Sequence, residues 1–146
     1  MKKNIPANTS TFRYFKANTK DKTTNDCVIR TFALAMSKEW DTVFDELCIL
    51  SHEEKLMHND KTLTKKYLDK MGWKKQPQPK KESGKKYTGA EWCRKLTKEN
   101  SPYSHIIINI GGHHKACILK IDGKFLIHDT WDSSEYCIGN FWIKPE

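Results

Sequence analysis

The chain has 146 residues, of which 37% are hydrophobic and 11% aromatic, and it carries a net charge of +8 from 26 basic and 18 acidic side chains. This composition excludes a disordered chain, and the length is enough for one core without disulfides. The sequence therefore predicts a single globular domain over residues 1–146.

The N-terminal residues show no apolar run behind Lys2 and Lys3, and no later segment is apolar enough to span a membrane. We therefore expect a cytoplasmic protein with no membrane contact. The five cysteines are an odd number without a Cys-x-x-Cys pair, which argues against both a disulfide framework and a zinc knuckle. We expect free thiols and no cofactor.

Residues 1–24 are polar and basic, with Phe12, Tyr14 and Phe15 as their only large apolar anchors. They predict an extended arm packed against the domain. A helix follows over 27–36, because its apolar residues cover a broad helical face and Asn25 and Asp26 offer N-cap side chains before it. Cys27 then lies in the first turn of a buried helix.

Three more helices are predicted before residue 100. One starts after Asp41, and the next runs over 63–71 and stops at Gly72. Thr88, followed three residues later by Glu91, forms a capping-box pattern that opens the last of the three.

The segment 74–86 is rich in lysine and proline, and it predicts a solvated surface loop that can act as a flap. Its six lysines are Lys74, Lys75, Lys80, Lys81, Lys85 and Lys86. An acidic protein or a nucleic acid is an alternative partner for this charge. No aromatic residue lies among the lysines, however, and aromatic residues are typical of single-strand binding.

Beyond residue 103 the pattern changes to short runs rich in β-branched residues, at 106–110, 116–121, 125–127 and 141–143. Asp122-Gly123 between two of them is a strong two-residue hairpin signal, so these strands should be antiparallel neighbours. The predicted fold class is α+β, with N-terminal helices packed on a C-terminal antiparallel sheet.

The hairpin brings two reactive side chains together. Residue numbers that face each other across its turn sum to about 245, which puts His114 opposite residue 131 and near Asp129. A helix N-terminus and a neighbouring imidazolium both lower the pKa of a thiol, and a carboxylate holds the imidazole in the required orientation. We therefore predict Cys27 as nucleophile, His114 as base and Asp129 as the residue that orients it.

Three segments carry a resemblance: Asn25-Asp26-Cys27-Val28-Ile29-Arg30 at a helix start, His114 at the head of an apolar strand, and Asp129 fifteen residues later. In these segments the chain resembles the papain-like cysteine peptidase superfamily, in the small bacterial and phage-type branch that includes bacteriocin-leader-processing peptidases. It is also similar to small phage-encoded proteins that share Asp-Cys-Val-Ile-Arg and His-Asp-Thr-Trp-Asp segments, which implies a host-cytoplasmic setting. The resemblance covers residues 24–37 and 104–133, under a third of the chain.

The resemblance implies an oxyanion site made by the backbone N–H of Cys27 and a nearby side-chain amide. The family places a glutamine several residues before the nucleophile, but this chain has Asp21 and Lys22 there. Asn25 is the predicted substitute, with Asn18 as a further candidate.

Other assignments stay open at this stage. His113 is an alternative base and Asp132 an alternative orienter, while Trp131 is a candidate for lining a substrate groove or for core packing. A metal held by His113, His114, Cys117 and His128 is a weaker alternative, because their spacing fits no strong ligand pattern.

The sequence thus supports two functions. The first is a cysteine peptidase or related thiol acyl-transferase acting on a peptide or isopeptide bond, with a protein or peptide as its substrate. The second is a non-catalytic basic binding protein on the same scaffold, such as a phage-type inhibitor of a host protein or nucleic-acid complex. The oligomeric state does not follow from the sequence.

Overall fold

The computed structural model describes residues 5–20 and 24–145. Within these residues the chain forms four helices and one six-stranded sheet, and the predicted α+β class is confirmed. The elements in chain order are β1 (Phe12–Tyr14), α1 (Cys27–Met36), α2 (Trp40–Glu54), α3 (Lys61–Lys70), β2 (Lys74–Gln76), α4 (Gly89–Lys98), β3 (His105–Ile110), β4 (His114–Ile121), β5 (Lys124–Asp129) and β6 (Ile138–Ile143).

Helix α1 has the predicted bounds. It ends because Ser37 takes a left-handed conformation, with φ 54°, and donates its backbone N–H to the carbonyl of Leu34. Lys38 closes the last turn by donating to the carbonyl of Ala33. Most of the helix is buried, so packing fixes it in place more than helix propensity does.

The other helices differ from their predicted bounds by one or two residues at most ends. The predicted capping box of α4 is confirmed, since Thr88 Oγ1 accepts from the backbone N–H of Glu91 and the Glu91 carboxylate accepts from that of Thr88. Helix α3 starts earlier than predicted because Asp60 caps it, accepting from the N–H of Thr62 at 2.8 Å. No helix in residues 5–20 and 24–145 has the length and apolarity needed to cross a bilayer.

The strands lie in the order β1-β5-β4-β3-β6-β2. The antiparallel sheet predicted for the C-terminal half is confirmed for β3 to β6, but the whole sheet is mixed, because β1 runs parallel to β5. The difference from the prediction comes from Phe12–Tyr14, because the sequence predicted an extended arm there and no strand. Phe12 is fully buried, so the arm docks through this anchor.

The sheet is covered on both faces, which the sequence did not predict. One hydrophobic cluster joins α1, α2 and α3 to Ile107, Cys117 and Trp142 of the sheet. The other joins α4 to Ile106 and Ile108 and their neighbours. The alternation of Ile106, Ile107 and Ile108 between the clusters follows from the period of two along a strand.

The segment 74–86 is not the continuous loop that was predicted. Lys74–Gln76 forms the edge strand β2, antiparallel to β6, and Lys80 and Lys86 form an isolated bridge around a turn. Lysines are common on edge strands because their charge discourages further strand pairing. Parts of the predicted N-terminal arm, 1–4 and 21–23, lie outside the described residues, as do Asp21 and Lys22, which occupy the place of the family's glutamine.

Candidate active site

The ends of two neighbouring strands bring His114 and Asp129 together. His114 begins β4, Asp129 ends β5, and the register pairs Ile121 with Lys124 across the turn, as the hairpin arithmetic predicted. Asp122 and Gly123 have φ angles of 51° and 78°, as a tight hairpin turn requires.

The imidazole of His114 lies between a carboxylate and a thiol. Its Nε2 is 2.5 Å from Oδ2 of Asp129, which leaves Nδ1 as the ring nitrogen available to Cys27. The backbone N–H of Lys115 also helps to lower the pKa of the Cys27 thiol. His114 therefore bonds to Asp129 and lies close enough to Cys27 to lower the pKa of its thiol.

Asp129 is held from several sides. It is fully buried, and its Oδ1 accepts from Nη2 of Arg30 and from the backbone N–H of Thr130, both at 2.7 Å. Its Oδ2 accepts from Ser133 Oγ at 3.4 Å in addition to facing His114. A carboxylate with this many donors keeps one orientation.

Arg30 is part of this candidate site, and the sequence analysis missed it. Its guanidinium is buried and bridges two carboxylates, with Nη1 2.5 Å from Oδ1 of Asp26 and Nη2 2.7 Å from Asp129. Trp40 Nε1 donates to the other oxygen of Asp26 at 2.9 Å. The signal available in the sequence was a lone arginine on an otherwise apolar helical face, one turn after the predicted nucleophile.

Asp26 does not cap α1 with its side chain, contrary to the prediction, although it occupies the N-cap position. The physical reason is that both carboxylate oxygens are taken by Arg30 and Trp40. The N-cap side chain therefore leaves the N–H groups of the first turn without a partner from Asp26. These N–H groups form the positive end of the helix dipole, which lies at the end of the helix where Cys27 is.

The charges around the thiol favour the thiolate. Burial raises the pKa of Cys27, but the hydrogen bonds from His114 and the Lys115 backbone, together with the positive charges of His114 and Arg30, outweigh burial and hold it below its ordinary value. Burial lowers the pKa of His114, but Asp129 and the Cys27 thiolate raise it to about 9. Both shifts act in favour of the thiolate–imidazolium pair.

Trp131 covers the imidazole from the solvent side. Its ring centroid is 4.7 Å from that of His114, and Tyr136 packs edge-on against it at 5.8 Å. Trp131 is 40% exposed, so one part of its ring shields the base while another part faces solvent. Core packing, the alternative considered for this residue, does not describe its position.

The alternates lie apart from these contacts. His113 is exposed in the turn before β4, and Asp132 accepts from the backbone N–H of Ser134 at 3.0 Å, which stabilises its own loop. Asn25 is exposed two residues before Cys27, and the side chain of Asn18 accepts from the N–H of Lys20. The oxyanion role of Asn25 stays a prediction.

The other four cysteines differ from Cys27. Cys93 and Cys117 are fully buried, and burial raises the pKa of both, to about 12 for Cys93. Cys48 has its sulfur 3.4 Å from Nε2 of His58, and Cys137 is exposed. Cys48 thus has an imidazole neighbour but lies within a helix rather than at its start.

The four residues of the metal alternative are not brought together, since His113 is exposed and Cys117 is buried against the α1 side of the sheet. In the described part of the chain, no group of three or more His, Cys, Asp or Glu side chains is arranged to hold a metal ion.

Comparison with known proteins adds no relative. No protein-family model, no curated protein and no solved structure matches this chain.

Proposed function

We propose that the protein is a papain-like cysteine hydrolase or acyl-transferase that acts on a peptide or isopeptide bond. The observation that carries this proposal is the placement of the His114 imidazole between the Cys27 thiol and the buried Asp129 carboxylate, with Nε2 2.5 Å from Oδ2. Nucleophile, base and orienter in contact are the geometric signature of covalent acyl transfer.

In the first half of the reaction the Cys27 thiolate attacks the carbonyl carbon of the substrate, and the carbonyl electrons move to its oxygen. The N–H groups at the start of α1 stabilise this oxyanion, since the Asp26 side chain does not cap them. The His114 imidazolium then gives its proton to the leaving amine, the C–N bond breaks, and an acyl-thioester forms on Cys27.

In the second half His114 accepts a proton from water or from an incoming amine, which attacks the thioester carbonyl. Collapse of this second intermediate breaks the C–S bond and restores the Cys27 thiolate and the His114 imidazolium. Asp129 keeps the same ring nitrogen facing the sulfur in both halves, because Arg30 and Thr130 fix its carboxylate.

The first experiment is the rate of iodoacetamide labelling at each cysteine as a function of pH, read by mass spectrometry. We expect Cys27 to label rapidly at pH 6, where ordinary thiols are protonated, and His114→Ala to abolish this. Cys48 is the internal control, since it has an imidazole neighbour without a helix N-terminus. If Cys27 labels no faster than Cys48 at pH 6, the proposal is wrong.

The second experiment addresses the bond that is cleaved. A peptide library prepared from a proteome is incubated with the protein, and new termini are identified by mass spectrometry. We expect new termini with the native chain and none with Cys27→Ala. Added amine nucleophiles that become attached to the new C-termini would identify transfer rather than hydrolysis.

A second candidate function, binding of an acidic partner, is favoured by one observation: Lys74, Lys75, Lys80, Lys85 and Lys86 are all exposed within one short segment. Lys81 differs, because it pairs with Glu91 at 2.5 Å. Replacing the five exposed lysines with glutamine, while Cys27 is kept, tests this function. Loss of the biological effect there, with no loss in Cys27→Ala, would favour binding over catalysis.

A further inference from the structure

Lys115 is a buried lysine beside the nucleophile. Its side chain is 7% exposed, with Nζ 2.5 Å from Oδ1 of Asn109 and 4.6 Å from the centroid of the Trp142 ring. Cys27 packs against the hydrophobic cluster that contains Trp142, and the backbone N–H of Lys115 helps to lower the pKa of the Cys27 thiol. The Lys115 ammonium and Cys27 thus lie on the same face of the sheet.

The charge of Lys115 has no carboxylate partner among the described residues. Asn109 is neutral, and the Trp142 ring also faces a second cation, since Lys75 Nζ is 6.0 Å from its centroid. Burial, opposed by the Cys27 thiolate and assisted by the charges of Lys61 and Lys75, lowers the pKa of Lys115 to about 8. Lysines are rarely this buried unless they are paired, because an unpaired buried charge is costly.

The thiolate supplies the missing negative charge only in the resting enzyme. When Cys27 becomes an acyl-thioester its charge disappears, and Lys115 is then left among other cations. A substrate that brings its own negative charge would restore the balance at that stage and would be held next to the reacting carbonyl.

We infer that Lys115, with Lys61 and Lys75 around it, forms a subsite for a substrate carboxylate on the face of the sheet against which Cys27 packs. The inference rests on the proposed function and names its substrate class: acyl donors with a carboxylate close to the scissile bond. That carboxylate comes either from an aspartate or glutamate side chain or from the C-terminus of the peptide.

The test compares two alkylating agents that differ only in charge. In both, the Cys27 sulfur attacks the methylene carbon and iodide leaves, but iodoacetate carries a carboxylate on the adjacent carbon where iodoacetamide carries an amide. We expect the iodoacetate-to-iodoacetamide rate ratio to be about tenfold higher at Cys27 than at Cys48 of the same protein. An equal ratio at the two cysteines would overturn the subsite.

Lys115→Gln should reduce the Cys27 ratio to within about twofold of the Cys48 ratio, because the nearest cation is gone. Lys124→Gln is the matched control, since it removes one exposed lysine at the far end of β5 and should leave the ratio unchanged. Lys61→Gln and Lys75→Gln change exposed residues and should each lower the ratio, so the inference stays testable if Lys115→Gln fails to fold.

The outcome separates this inference from the proposed function. Rapid labelling of Cys27 by iodoacetamide at pH 6 without an iodoacetate preference would leave the hydrolase proposal standing and remove the subsite. Slow labelling by both agents would overturn both.

The source of the carboxylate follows from protection of Cys27 against iodoacetamide by two blocked tetrapeptides. One has a free C-terminal carboxylate and no acidic side chain, while the other is amidated and contains an aspartate. Protection by the first identifies a C-terminal carboxylate, and protection by the second an acidic side chain. If neither protects better than a neutral amidated tetrapeptide, the subsite is contradicted.

Discussion

Arg30 and Asp129 form a buried ion pair that links helix α1 to the end of strand β5, with Nη2 2.7 Å from Oδ1. Asp129 is fully buried and Arg30 is 5% exposed. The pair ties the helix that carries Cys27 to the strand whose last residue faces His114, so the relative position of Cys27 and His114 depends on it. Such a pair is a positioning device whose removal should affect both stability and reactivity.

Arg30→Ala should destabilise the protein by about 3–5 kcal/mol, because it leaves Asp26 and Asp129 as buried carboxylates without their shared cation. It should also raise the pKa of Cys27, since the Arg30 charge helps to lower it. Urea unfolding measures the first effect, and the pH midpoint of iodoacetamide labelling at Cys27 measures the second.

Lys65→Ala provides the control for charge removal. Lys65 and Asp69 form an exposed pair one helical turn apart in α3, and its loss should cost no more than about 0.5 kcal/mol. Arg30→Lys should restore the labelling midpoint in part while recovering less stability, because one ammonium cannot bridge both carboxylates as the guanidinium does. A labelling midpoint unchanged in Arg30→Ala would contradict the positioning role.

The sequence was sufficient to predict the contact between His114 and Asp129, because the two-residue turn at Asp122-Gly123 sets the register of the two strands that it joins. It was not sufficient to find Arg30. Its partner Asp129 lies 99 positions away, and no local pattern distinguishes a buried bridging arginine from one that extends to the surface.

The two short strands were missed for a related reason. Phe12–Tyr14 and Lys74–Gln76 have three residues each, and their pairing with β5 and β6 is non-local. Strand propensity depends strongly on tertiary context, so a run of lysines in the sequence does not distinguish an edge strand from a loop. The Thr88 capping box, by contrast, is entirely local and was predicted correctly.

The pH dependence of stability should report the His114 contacts. Asp129 and the Cys27 thiolate raise the pKa of His114 from 6.5 to about 9 in the folded state. The stabilising contribution of His114 is therefore fully present below pH 6.5 and is lost as the pH rises through 9, with a loss on the order of 1–3 kcal/mol. Urea unfolding of the native chain and of His114→Gln at pH 6 and pH 9.5 measures this contribution. The difference in unfolding free energy between the two proteins should be smaller at pH 9.5 than at pH 6. A constant difference would contradict the assignment.

Trp131 should help to keep His114 protonated. Its ring lies 4.7 Å from the imidazole, and an aromatic face this close stabilises a cation by about 0.5–1 kcal/mol. Trp131→Ala should therefore lower the pKa of His114 by less than about one unit, and Trp131→Phe should retain most of the effect. NMR titration of the His114 ring protons measures this. His105, at the other end of the β3–β4 pair, is the control, and its pKa should not respond to either substitution.

Gly89 supports the loop that carries Trp131. Its N–H donates to the carbonyl of Tyr136 at 2.9 Å, and a Cβ at this position would lie 2.6 Å from Cδ1 of Ile127 and 3.2 Å from the backbone of Ser134. Gly89→Ala should cost about 1–3 kcal/mol, although glycine to alanine normally stabilises a helix, because the added methyl overpacks the α4 side of the sheet. Gly139→Ala is the control, since its Cβ would meet Asn109 at an ordinary 3.4 Å. Thermal unfolding should show a clearly larger loss for Gly89→Ala, together with a shift in Trp131 fluorescence that Gly139→Ala does not produce.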